Sequence, residues 1–139
     1  MGFLSGGISL LDECALLALE ARLEQVEESQ VNKLIELLEF TKNLDIIKVF
    51  IARQVGRRQW TRRPYSYSAA RLYKILRQCD SLEKAREVLG LFKWFFEAGG
   101  RNISVLNRLR SKYGSLVFNP SKDAPEGFAD EYLRAVLGL

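Results

Sequence analysis

The stretch Ser9–Val26, SLLDECALLALEARLEQV, decides the fold. Leu16, Leu19, Leu23 and Val26 recur at spacings of three and four, the period of one buried helical face. Ser9, with Asp12 three residues on, resembles a capping arrangement, and Asp12 and Glu13 suit the positive end of a helix dipole. Glu20, Glu24, Glu27 and Glu28 make the rest of the surface acidic.

The same period continues downstream. A second helix, from about Gln30 to Lys42, buries Val31, Leu34, Ile35 and Leu38. A third, opened by Asn43 or Asp45 and running to about Arg58, carries Leu44, Ile46, Ile47, Val49, Phe50, Ile51 and Val55 around most of its circumference, which predicts a central helix packed on several sides. Arg53 falls inside that apolar arc, so it pairs with an acid or emerges at an interface. Gly56–Ser68, GRRQWTRRPYSYS, has no helical period and reads as a connection. A fourth helix to about Gln78 places Ala69, Leu72, Tyr73 and Leu76 on one face and Arg71, Lys74 and Gln78 on the other.

Asp80 and Glu83 predict the cap of a fifth helix that Gly99-Gly100 would end. Leu82, Ala85, Leu89, Phe92 and Phe96 form its core stripe, while Leu91, Trp94 and Phe95 point elsewhere; the four rings Phe92, Trp94, Phe95 and Phe96 do not fit one helix face, so part of the cluster lies deep in the bundle or meets another protein chain, with Trp94 the outward one. A sixth helix, Ile103 to Tyr113, turns Leu106, Leu109 and Tyr113 inward and Arg108 and Lys112 outward. Gly114–Pro125 is a loop, and a last short helix contains Phe128, Tyr132, Leu133 and Val136. No long alternating strand pattern, repeat or linker interrupts this order. The expected architecture is all-α, a single compact helical bundle of five to seven helices across residues 1–139.

Composition supports a packed domain: 47% of the residues are hydrophobic and 27% charged. Cys14 and Cys79 lie in different predicted helices without a CxxC pairing, so each reads as a small buried hydrophobe and no disulfide framework or metal cluster is expected. The apolar run within Met1–Leu11 lacks the basic start and cleavage site of a signal peptide. No apolar stretch approaches the ~20 residues of a membrane span. A soluble, cytoplasmic protein without membrane contact is expected.

Charge is unevenly placed. Met1–Asp45 holds three basic and nine acidic residues, whereas Ile46–Arg77 holds nine basic and no acidic ones. Arg101–Lys122 adds five more basic residues without an acid. Basic blocks without acidic neighbours in sequence generate a positive field that attracts polyanions. The alternative is that the acidic first third folds against the basic middle and cancels it.

The strongest candidate site is Arg53, Arg57, Arg58, Arg62, Arg63, Arg71 and Lys74, interleaved with Trp60, Tyr65 and Tyr67. Guanidinium groups take phosphates bidentately and aromatic rings stack on unpaired bases, a combination that favours single strands or a hybrid with exposed bases over plain duplex. Against this, cations at a helix C-terminus are favoured by the dipole alone, and Trp60 serves equally well as a cap on the core. Arg108 and Lys112, with Arg101, Arg110 and Lys122, form a weaker second candidate. With no histidine, mechanisms that need an imidazole are excluded. No phosphate loop, nucleophile elbow or metal-spaced acid set is present, so neither catalysis nor a cofactor is expected.

Phe50–Trp60, FIARQVGRRQW, and Leu89–Ala98, LGLFKWFFEA, resemble the small helical subunit of type III CRISPR effector complexes. The resemblance covers the middle third to half of the chain. It implies a non-catalytic antiviral subunit, present in more than one copy among other effector subunits, lying along the hybrid of guide RNA and target RNA. Arg53, Arg57, Arg58, Arg62 and Arg63 would then contact the target backbone. Two other readings remain open: a DNA-binding regulator whose Tyr67–Gln78 helix enters the major groove, and an adaptor that binds only protein.

Overall fold

Ser9 begins the first helix as its spacing predicts. In the computed structural model, which describes residues 9–139, its hydroxyl accepts a hydrogen bond from the Asp12 amide at 3.4 Å. What was expected of Met1 to Ile8 lies outside the described residues. The described residues form seven helices: α1 (Leu10–Leu23), α2 (Glu28–Thr41), α3 (Leu44–Gly56), α4 (Tyr67–Arg77), α5 (Leu82–Gly99), α6 (Ile103–Lys112) and α7 (Phe128–Leu137). The protein is an all-α bundle, with no strand among the described residues. Among the described residues, no helix is long and apolar enough to cross a membrane.

The central helix is α1, not α3. Leu10 and every residue from Asp12 to Ala21 are buried, and α4, α5, α6 and α7 all pack against α1. Leucines interspersed with Ala15, Ala18 and Ala21 spread apolar surface over several sides of the helix, so neighbours approach from several directions. Each buried leucine contributes about 1.5–3 kcal/mol. Glu13 and Glu20 go into the interior with them, Glu20 contrary to the acidic surface it was expected to help form. By contrast α3 packs mainly on α2 and α4, leaving Ile46 half-exposed and Val49 69% exposed. An apolar circumference states what a helix is able to bury, whereas its position in the bundle sets what covers it.

Ser81, rather than Asp80, caps α5, accepting from the Lys84 amide at 3.1 Å. The stripe Ala85, Val88, Leu89, Phe92 and Phe96 is buried, with α5 lying along α1. Trp94 is 71% exposed, as its position predicts. Phe95, off that stripe, is buried deep in the bundle because α7 covers it: its ring meets Tyr132 edge-on at 5.5 Å, and the Tyr132 hydroxyl donates to the Phe95 carbonyl at 2.6 Å. Gly99 makes room for that hydroxyl, since a Cβ at this position would lie well inside its van der Waals radius. Gly99→Ala is therefore expected to destabilise the protein by about 1–3 kcal/mol, the range for overpacking a close-fitted core, read as a lower urea midpoint at unchanged slope.

Candidate nucleic-acid interface

Arg71 does not face solvent. It is fully buried, and its Nε–H donates to Glu20 at 2.6 Å while Nη1 reaches Glu13 at 3.2 Å. The remaining donors meet the carbonyls of Lys122 at 2.8 Å, Asn119 at 2.9 Å and Leu116 at 3.3 Å. Glu20 also accepts the Phe118 amide at 2.7 Å, and Glu13 accepts the Ala124 amide. A charge this deep persists only when paired and hydrogen-bonded, and here each group has its partner. Burial pushes the Glu20 carboxyl up to about 7, with the Arg71 guanidinium and the Phe118 amide pulling the other way. Asp12 extends the pattern by accepting the Ala129 amide at 2.8 Å at the start of α7. The acids of α1 thus hold the segment between α6 and α7.

Lys74 joins the same cluster, 3.3 Å from Glu13 and 3.0 Å from Asp123. Arg71 and Lys74 were expected on an outward face and leave the set of ligand-facing cations for this reason. Tyr73, expected inward, is exposed instead. The residues α4 buries are Ser68, Ala69, Arg71, Leu72, Ile75 and Leu76, and the carboxylates of α1 make it possible for Arg71 to be among them.

The connection before α4 keeps its arginines outside by burying what lies between them. The Gln59 and Trp60 amides both donate to the Gln54 carbonyl, at 2.8 and 3.1 Å, and turn the chain at the end of α3. Trp60 then drops into the core, 1% exposed, with its ring beside Phe92 and its Nε1–H donating to Ser68 Oγ at 3.0 Å. Trp60 is therefore a core anchor and not a stacking platform for bases. Thr61 Oγ1 donates to the Tyr65 carbonyl at 3.3 Å and closes a second turn.

Glu24 secures the far end, accepting the Tyr67 amide at 2.8 Å, the Ser68 amide at 3.0 Å and the Ser66 hydroxyl at 2.9 Å. A carboxylate at a helix N-terminus is favoured by the dipole as well as by these bonds. Glu24→Gln presents a donor amide to the Tyr67 amide and is expected to cost about 1–3 kcal/mol in a urea titration. Faster trypsin cleavage after the loop arginines should accompany that loss.

Arg57, Arg58, Arg62 and Arg63 are all exposed and make no ion pair with any described carboxylate. Arg58, Arg62 and Arg63 open onto a groove of about 660 Å³. Its other wall carries Arg110 of α6 and Phe118 of the following loop, with Tyr67 between. The Arg110 guanidinium carbon lies 5.3 Å from the Phe118 ring centroid. Glu24 and Glu27 also border the groove, but the Glu24 carboxylate is taken up by α4.

The other expected cations are dispersed. Arg53 emerges without an acid, its Nη1 donating to Gln54 at 3.0 Å, and lines a separate groove of about 380 Å³ with Phe40 and Phe50. Arg108 is exposed beside Lys112, whose ammonium is paired with Glu131 at 2.5 Å. Hydrogen bonds from Lys112 and Tyr113 hold the Glu131 carboxyl below its ordinary range. Arg110 ranked only in the weaker set by sequence, and Phe118 gave no signal at all from within a segment of loop-forming residues. Compared with protein-family models, curated proteins and solved structures, the chain matches none of them.

Proposed function

We propose that this protein is a non-catalytic RNA-binding subunit of a multi-subunit CRISPR ribonucleoprotein, resembling the small helical subunit of type III effectors. The observation that carries the reading is the four-arginine loop, Arg57, Arg58, Arg62 and Arg63, held outward on two turns without a carboxylate partner. Guanidinium forks in such a state suit phosphates, and Arg110 supplies a further cation across the groove. Guide and target RNA are the polyanions this reading assigns. Other effector subunits and further copies of the chain would cover the exposed apolar side chains Trp94, Phe40 and Val49. A cytoplasmic site of action follows from such a partnership.

A DNA regulator that inserts α4 into the major groove has less support. Of its basic residues, Arg71 is inside the bundle and Lys74 is paired, so neither is free to read base edges. Competition at fixed salt between single-stranded RNA and duplex DNA of matched length separates the readings. RNA is expected to compete more strongly, and a sequence-dependent preference for duplex DNA would overturn the proposal.

A further inference from the structure

Three aromatic rings run from the arginine loop into the groove. Tyr65, half-exposed, meets Tyr67 edge-on at 5.5 Å, and Tyr67 lies 5.4 Å from Phe118 at 35°. Tyr67 opens α4 and Phe118 follows α6, so this row exists only because the buried cluster delivers Phe118 to it: the Phe118 amide is held by Glu20, and the carbonyls on either side of it in the loop by Arg71. Phe118 adopts φ 64°, a left-handed conformation that is costly for a bulky side chain. The Glu20 and Arg71 hydrogen bonds hold that conformation, and the ring, half-buried against the core, borders the groove.

We propose that this groove holds an unpaired base of a single-stranded RNA against Tyr67 and Phe118, while Arg58, Arg62 and Arg63 take the flanking phosphates. The proposal rests on the RNA-binding reading and narrows it to the strand state at this position. Volume suits it, since about 660 Å³ falls within the roughly 300–1,000 Å³ of clefts that enclose small ligands. Arg110 stands over the Phe118 ring, where a guanidinium plane adds a cationic face to the stack. Glu27 and Gln59 at the edge offer a carboxylate and an amide to base edges. A duplex keeps its base faces stacked inside, so its phosphates would meet the arginines while the aromatic row stayed empty.

Anisotropy of the full chain with a labelled oligouridine, an abasic oligomer of the same length and an RNA duplex, all at one salt concentration, tests this. Stacking of one base is expected to make the oligouridine bind roughly tenfold more tightly than the abasic strand. Tyr67→Leu with Phe118→Leu should bring that ratio to unity without weakening abasic binding, and Tyr67→Phe should keep it. Tyr67→Leu alone carries the test if the double variant loses helicity. A ratio of unity in the native chain, a ratio that survives both leucines, or equal affinity for the duplex overturns the proposal and leaves phosphate binding intact. Displacement of the oligomer by uridine monophosphate as readily as by unlabelled oligomer would make the groove a nucleotide pocket and also overturn it. Failure to bind any of the strands removes the RNA-binding reading itself.

Discussion

Arg71→Met is expected to destabilise the protein by about 3–5 kcal/mol, the range seen when one partner of a buried ion pair is removed. Glu13 and Glu20 have no exposed side-chain surface, so neither carboxylate finds water once the guanidinium is gone. Methionine fills most of the space but has no donor, and the carbonyls of Leu116, Asn119 and Lys122 lose theirs as well. Urea unfolding followed by helicity measures the loss, and a loss below about 1 kcal/mol would show that the cluster does not hold the bundle together.

The loss should also depend on pH. Without Arg71 nothing cationic offsets the burial that already raises Glu20 to about 7 from its ordinary 4.5. An acid whose folded pKa lies above its unfolded value stabilises fully below the unfolded value, and that contribution fades as pH rises through the folded pKa. The variant should therefore be closer to the native protein near about pH 5 than near about pH 8.

Changing Arg57, Arg58, Arg62 and Arg63 together to glutamate is expected to abolish binding to single-stranded RNA and leave the fold intact. Four phosphate contacts give a log-log salt slope of about −3 on a single strand, so native affinity should fall about fiftyfold between roughly 50 and 200 mM salt. The variant should lose that slope along with its affinity. Its helicity should not change, since none of the four side chains is paired with a described carboxylate and all are exposed. Retention of affinity and slope by the variant would show that phosphates bind elsewhere.

Much of the architecture was legible because helices announce themselves locally. The three- and four-residue spacing in Ser9–Val26, the cap at Asn43 and the outward place of Trp94 all depend on residues within a few turns of one another. The arginine loop was legible for the same reason, as a run of like charge broken by Gly and Pro.

What periodicity could not convey is which charges go inside. Glu13 and Glu20 look like solvated glutamates and Arg71 looks like a surface cation, because each is costly to bury alone and tolerable only against partners about fifty residues away. The same meeting draws in the loop after α6, sets Phe118 beside Tyr67 and gives the arginines a second wall. Helix content and the exposed arginine loop thus follow from neighbours along the chain. The groove follows from neighbours in space, because low dielectric makes a buried charge depend on who is there to meet it.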